Sequence, residues 1–239
     1  MKWLVLLAIA ACGSSANNGT DGGGDDDGNG SGSDIGGSCS AAPDPETGDG
    51  TYYNADGTGN CSFDADSSFM VVAMNHTDYG NSEWCGACIS VTGPKGTVTV
   101  RVTDQCPECA KGALDLSETA FDMIADHAAG RVSVTWHEVP CDVTGPIGYH
   151  FKAGDTQYYT ALQIRNTRYP IAKVEAMVNG AYQDIPRKDY NYFVPDAGLG
   201  KGPFQFRVTD QRGHVVEDTG IALGDDETRD GAAQFQTCE

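Results

Sequence analysis

The feature that most constrains this chain is its cysteine arrangement. Cys85-Gly86-Ala87-Cys88 precedes Cys106-Pro107-Glu108-Cys109 with seventeen residues between the pairs. That C-x2-C-x17-C-x2-C spacing fits a four-thiolate zinc site, and Trp84-Cys85-Gly86-Ala87-Cys88 alone has the spacing of a thioredoxin-type redox motif. A redox motif of that kind closes a strand and opens a helix. Here "WCGAC" instead runs into "ISVTGPKGTVTVRVTD", two alternating strand patterns joined by a Gly-Pro-Lys-Gly turn. The third possibility is structural disulfides, and the N-terminus decides among the three.

"MKWLVLLAIAAC" has one lysine, an apolar run from Trp3 to Ala11 and small residues directly before Cys12. This is the layout of a secretory signal, and the run is too short to span a bilayer, which takes about 20 apolar residues. "IAAC" also resembles a bacterial lipobox, so residues 1–12 are expected to be a lipoprotein-type signal with Cys12 as the lipidated residue. Of the nine cysteines, Cys39, Cys61, Cys85, Cys88, Cys106, Cys109, Cys141 and Cys238 then remain. An even number in an exported chain reads as a disulfide framework, with neither metal nor cofactor.

Residues 13–47 are rich in Gly, Ser, Asn and Asp and nearly free of apolar side chains. Such a stretch cannot bury enough surface to offset its ordering entropy, so a flexible tether is expected. It suits a protein held at the cell surface or outer membrane by a lipid, or one that is secreted. The net charge is −19, and no Lys or Arg falls between Lys2 and Lys95. Nucleic acid and polyanionic wall polymers are therefore poor partners, and a neutral ligand fits better.

From residue 48 to 142 the strand candidates are short: Phe69–Met74, Thr97–Val102 and Val132–Val139, with alternating β-branched residues. One helix is expected, capped by Ser117, with Phe121, Ile124 and Ala125 on one face and Gly130 as its stop. Many short strands, one helix and several disulfides predict a compact β-barrel. "DVTGPIG" has turn chemistry, which places a linker at 143–146. Residues 147–239 alternate again, over Tyr158–Arg165, Ile171–Val178 and Phe204–Val208, with a hairpin turn at Asn179-Gly180. That pattern predicts a small β-sandwich and an all-β protein overall.

Chemistry concentrates in "VTDQCPECAKGALDLSETAF". Asp104 ends a strand, Asp115 precedes the helix cap, and Glu108 lies between them. Two carboxylates flanking a groove are what glycoside hydrolysis uses. The ordinary alternative is that Asp104 is a turn residue and Asp115 a local backbone capper. In the second half, Tyr158 and Tyr159 are adjacent, so on a strand they point to opposite faces. Tyr190 and Tyr192 share a face if "KDYNYF" is extended. Exposed rings in a row offer flat apolar area to sugars; the same tyrosines could be ordinary core and edge residues.

"GTYY", "VTDQCPEC-AKGALDLSETAF", "YYTALQIRNTRYPIAKVEAMVNG", "KDYNYFV" and "FRVTDQRGHVVEDT" occur in this order over about residues 48 to 230. Together they resemble a bacterial expansin of the two-domain type. The resemblance implies a six-stranded double-psi β-barrel followed by an Ig-like β-sandwich. It implies a monomeric protein that binds cellulose or a related β-glucan, with other wall polysaccharides as further partners, and loosens the wall without hydrolysis. The family's groove aspartates match Asp115 and Asp104, and a groove threonine matches Thr51. Its binding-surface aromatics fall on Tyr158, Tyr159 and Tyr190, and a binding-surface lysine on Lys152. The family's groove tyrosine falls on Cys106, a departure that puts a cysteine where an aromatic contact belongs. Cysteine-bearing relatives imply Cys61–Cys85 and Cys88–Cys141, which leaves Cys106–Cys109 and Cys39–Cys238.

Two rivals stand beside this reading. Family-45 endoglucanases share the barrel, and their catalytic acid also corresponds to Asp115, but inverting hydrolysis needs a second carboxylate as base. A peptidoglycan-cleaving relative is the other hydrolytic form. The second rival is an adhesin that only binds carbohydrate, for which Asp104 and Asp115 would be dispensable.

Overall fold

The computed structural model describes residues 39–238. The signal, Cys12 and the tether up to residue 38 lie outside them. The first half is a closed barrel of six strands: β1 (Glu46–Tyr53), β2 (Val71–Asn75), β3 (Cys88–Gly93), β4 (Gly96–Cys106), β5 (Leu114–Ser117) and β6 (Val132–Val139). Around the barrel the order is β1-β5-β2-β4-β3-β6. Two neighbours, β1 with β5 and β2 with β4, run parallel. The remaining pairs are antiparallel.

Alternation explains the wall. Val98, Val100 and Val102 of β4 turn inward, as do Val134 and Trp136 of β6, and meet Met74, Ile89, Val91, Leu114 and Leu116 in one core. Trp136 is 1% exposed and donates its indole N–H to the Gly112 carbonyl at 2.8 Å. That carbonyl lies where β1 passes close to the β4–β5 loop. A Cβ on Gly48 would lie 2.3 Å from Gly112 O and 2.6 Å from Ala113 N, both backbone atoms that cannot swing aside. Gly48→Ala is therefore expected to destabilise by about 3 kcal/mol, read as a lowered urea midpoint.

Two short helices decorate the barrel, α1 (His76–Tyr79) and α2 (Glu118–Ile124). Ser117 caps α2 by accepting from Ala120 N at 3.2 Å. The helix stops at Ile124, short of the expected Gly130, because the Ile124 carbonyl is taken by Lys95 N at 2.8 Å from the β3–β4 turn. Gly130 closes a following 3-10 turn, His127–Ala129, instead. α1 has only four residues and no periodicity to announce it. β2 begins at Val71 rather than Phe69, whose φ of +56° belongs to a turn. β1 starts at Glu46, two residues inside the stretch expected as tether, because Glu46–Gly50 pairs with Val132–Trp136.

The second half holds two antiparallel sheets. One is ordered β10 (Ala181–Asp184), β9 (Ile171–Val178), β11 (Phe204–Asp210), β12 (Val215–Ile221). The other is ordered β13 (Glu227–Asp230), β7 (Gly148–Phe151), β8 (Leu162–Arg165). They enclose a common core in which Tyr149, Phe151, Leu162 and Ile164 of one meet Val174, Phe206, Val208 and Val216 of the other. Asn179 and Gly180, with φ of 52° and 83°, make the tight β9–β10 turn.

Disulfides join Cys61 to Cys85, Cys88 to Cys141, Cys106 to Cys109 and Cys39 to Cys238. Cys85 and Cys88 thus have different partners, and neither belongs to a thiolate quartet. Barrel and sheets are joined by polar contacts as well. Gln163 Nε2 donates to Cys61 O at 2.9 Å, Arg165 pairs with Asp64 at 2.7 Å, and buried Arg212 reaches Glu138 at 2.5 Å. Burial pushes the Glu138 carboxyl up, with the Arg212 charge opposing it.

Candidate functional site

The parallel pairing of β1 and β5 sets Thr51 beside Asp115 in register. The Thr51 hydroxyl donates to Asp115 Oδ1 at 2.5 Å. Across β5 lies Ala73 of β2, which is the register partner of Asp115 on one side and of Asp104 in β4 on the other. The two aspartates therefore stand two strand spacings apart, about 10 Å between backbones, with an alanine as the floor between them. A larger residue at that floor would fill the gap.

The two carboxylates differ in their commitments. Asp104 Oδ1 accepts Asn60 N at 2.7 Å and Gln105 N at 2.8 Å, so it fastens the loop at residues 57–62. A Cβ on Gly59 would come within 2.4 Å of Asp104 Cβ, which is why that loop can lie so close. Asp115 is half-buried and holds one bond, from Thr51. Its carboxyl is pushed above the ordinary aspartate range, first by burial; the Thr51 hydroxyl opposes this and the Glu108 charge adds to it. Glu108 is exposed in the loop that the Cys106–Cys109 bridge closes. Neither Asp104 nor Glu108 hydrogen-bonds Asp115.

Tyr53 belongs to this group and was not singled out from the sequence. It lies two residues beyond Thr51 on β1, half-buried, and its hydroxyl is buried with no hydrogen-bond partner among the described residues. Burial first, then the charges of Asp104, Asp115 and Asp56, push that phenol well above its usual range. That phenol therefore keeps its proton, within the field of the groove carboxylates. The period-2 relation of Thr51 and Tyr53 was the available signal.

A second feature adjoins the first through the loop that Asp104 fastens. Asn60 Nδ2 donates to Asp189 O at 2.9 Å, and the hydroxyl of Tyr79 donates to the same carbonyl at 3.0 Å. The next residue is Tyr190, half-buried and 5.8 Å from the Tyr192 ring. Lys152 Nζ lies 5.0 Å from the Tyr190 ring and 4.9 Å from the Tyr192 ring. Tyr192 itself is 4% exposed, so the two rings do not form one open face. Asn191, with φ of +63°, turns the chain between them.

Tyr158 and Tyr159 are not on a strand, contrary to the alternation reading. They occupy a turn closed by Thr156 N to Tyr159 O at 2.8 Å, and β8 starts only at Leu162. The turn frees both rings from the strand's two-faced rule: they are 81% and 47% exposed. Asp155 braces it, accepting from Ala161 N at 2.9 Å and Lys152 N at 3.2 Å. Burial raises that carboxyl to about 6 in spite of those bonds. Thus Thr51, Asp115 and Asp104 gather in the barrel groove, and Tyr158, Tyr159, Tyr190 and Lys152 lie in turns and loops of the second half.

A closed six-stranded barrel with two parallel pairs and an aspartate groove, joined to a second unit with exposed tyrosines, defines a class of double-psi barrel proteins. A family model described as "Lytic transglycolase", of the double-psi barrel kind, matches residues 46–136. Expansin-YoaJ of Bacillus subtilis is 40% identical over 157 residues, covering 64% of this chain and 67% of the relative. Expansin-like protein 5 of Dictyostelium discoideum is 27% identical over 201 residues, 78% of this chain and 84% of the relative. The solved apo expansin of Clavibacter michiganensis is 32% identical with a TM-score of 0.75, covering 82% of this chain and all of that one. A mutant of that expansin, solved in complex with cellohexaose, has a TM-score of 0.76. The chain belongs to the expansin family.

Proposed function

We propose that this protein binds cellulose-type β-glucan on Tyr158, Tyr159 and Tyr190, with Lys152 beside them, and loosens the polymer's noncovalent packing through a groove of Thr51, Asp104 and Asp115. The observation that carries this is the continuity of the two features. Asp104 holds Asn60, and Asn60 holds the Asp189 carbonyl next to Tyr190. A glucan lying on the tyrosines would run directly toward the groove. The cellohexaose complex of a solved expansin supports a β-glucan as the ligand class.

We read the groove as non-hydrolytic. Asp104 is engaged with two backbone amides, which suits a structural anchor better than a free base beside a water. The domain division in this reading is 48–142 for the barrel, 143–146 for the linker and 147–239 for an Ig-like carbohydrate-binding domain. The chain is exported and acts as a monomer, lipid-anchored through Cys12. Glycan cleavage, endoglucanase-like or peptidoglycan-lytic, is the second reading, favoured by the description of the matching barrel family as a lytic transglycolase.

The deciding experiment is side-by-side retention and product release on cellulose, chitin and peptidoglycan. Retention on cellulose without soluble reducing ends is expected. Muropeptides or reducing ends that disappear in Asp115→Asn would overturn the non-hydrolytic reading.

A further inference from the structure

Away from the groove, the two ends of the described segment meet at a group of side chains that glucan binding does not use. Among the described residues, Cys39, His214 and Cys238 are a group of potential metal ligands whose donor atoms all lie within 4.8 Å of one another. The two cysteines are bonded to each other. His214 Nε2 is 3.3 Å from Cys39 Sγ and 3.7 Å from Cys238 Sγ. His214 and Asp210 are both buried, at 4% and 1% exposure.

The wiring of Asp210 determines what Nε2 can do. Asp210 Oδ1 accepts the backbone N–H groups of Arg212 and His214, each at 2.9 Å, and Oδ2 lies 2.8 Å from His214 Nδ1. Oδ2 engages Nδ1, so the other ring nitrogen, Nε2, is the one turned toward the two sulfurs. A buried imidazole oriented by a carboxylate on its far nitrogen is how a metal-binding histidine is held.

The sulfurs are also held in place by contacts other than their own bond. Ser40 N donates to Arg212 O at 2.8 Å, fixing the chain next to Cys39. Cys238 N donates to the hydroxyl of Tyr169 at 3.0 Å, and the Tyr169 ring lies 5.8 Å from the His214 ring. Arg168 Nη1 donates to Thr237 Oγ1 at 2.6 Å, and Phe235 is buried just before. Opening the bond therefore need not release either end. Two sulfurs on one tetrahedral zinc stand about 3.8 Å apart, a separation that side-chain rotation from the bonded geometry can supply.

We propose that the Cys39–Cys238 bridge opens before the buried disulfides, and that Cys39, Cys238 and His214 then form a Cys2His site for a zinc-class divalent cation. Asp210 is its positioning residue. In the first step a dithiol reductant gives two electrons and two protons, becomes a disulfide itself, and leaves two thiols on the protein. In the second step the cation displaces the two thiol protons and takes both thiolates and Nε2, with one position left to solvent. The N-terminal segment thus stays clasped to the second unit in either redox state. The exposure order supports the first claim: Cys39 is exposed and Cys238 half-buried, whereas Cys61 and Cys85 are both buried and half-buried Cys88 is bonded to buried Cys141.

The test uses the full chain carrying Cys12→Ser, Cys106→Ser and Cys109→Ser, so that rival accessible thiols are gone. It is reduced with limiting dithiol, mapped by alkylation and mass spectrometry, and titrated with Co2+ as the probe. The expected result is alkylation of Cys39 and Cys238 ahead of the others. One Co2+ per chain should bind with a thiolate-to-cobalt charge-transfer band, which the oxidised chain lacks. Asp210→Asn should weaken binding about 10- to 100-fold, with near-ultraviolet circular dichroism checking that the fold persists. Earlier opening of Cys61–Cys85 or Cys88–Cys141 overturns the proposal. So does the absence of the band when Cys39 and Cys238 are free thiols, whether the ends detach or stay folded. A band undiminished in a chain that also carries Cys39→Ser and Cys238→Ser would equally overturn it.

Discussion

Asp115→Asn is expected to lower the creep of wall strips or the weakening of paper at least about tenfold, while retention on cellulose stays within twofold. The reason lies in the division of labour between the two features. Asp115 touches Thr51 in the groove, whereas the exposed tyrosines sit on a turn between β7 and β8. Asparagine preserves the shape and still accepts from the Thr51 hydroxyl, so it removes the ionisable group without leaving that donor unpaired.

The same substitution makes a stability prediction of definite sign. The folded Asp115 carboxyl is raised, chiefly by burial, above its value in the unfolded chain. The folded state therefore binds the proton more tightly, and stability contributed by the protonated group is lost as pH rises through the folded pKa. Asparagine does not ionise. The variant should gain on the parent between acid and neutral pH, by less than about 1 kcal/mol because a half-buried group is still screened. Denaturation midpoints at pH 3 and pH 7 measure this. A variant that loosens walls as well as the parent, with an intact fold, would remove Asp115 from the mechanism.

How far such a site can be read from sequence depends on the range of the interactions that build it. The alternation over Val132–Val139 marked β6 because its inward residues follow the period of a strand. Asn179-Gly180 marked a hairpin because only a positive-φ pair makes that turn easily. Barrel closure is another matter. The parallel pairing that brings Thr51 to Asp115 joins residues 64 positions apart, and no local pattern encodes it. Tyr158-Tyr159-Thr160 reads as a strand by propensity, yet Asp155 folds it into a turn through contacts made with Lys152 and Ala161. Propensity sees aromatic and β-branched side chains; it cannot see that a buried carboxylate takes the Ala161 amide and shares that of Lys152. Cys106 shows the opposite case, since its bond to Cys109 is local, but its consequence for the groove depends on what the lost aromatic would have touched.

Replacing both Tyr158 and Tyr159 by alanine should weaken cellulose retention about 30- to 150-fold, at roughly 1–1.5 kcal/mol for each ring lost from a stacked contact. Protein stability should hardly change, because Tyr158 is 81% exposed and Tyr159 47% exposed, and the turn is held by Asp155 and backbone bonds rather than by the rings. Tyr192→Ala is the informative contrast. That ring is 4% exposed and packs beside Lys152, so its removal should lower the unfolding free energy by about 3 kcal/mol, seen as a lower denaturation midpoint, before it says anything about the ligand. Tryptophan at 158 and 159 should act in the opposite direction from alanine, since a larger flat ring on an exposed turn adds contact area without new strain. Depletion isotherms on microcrystalline cellulose, taken alongside midpoints for all four proteins, separate the two effects. If the double alanine variant binds as tightly as the parent, the glucan does not lie on this turn, and the continuity through Asn60 and Asp189 would then have to guide the polymer from Tyr190 alone.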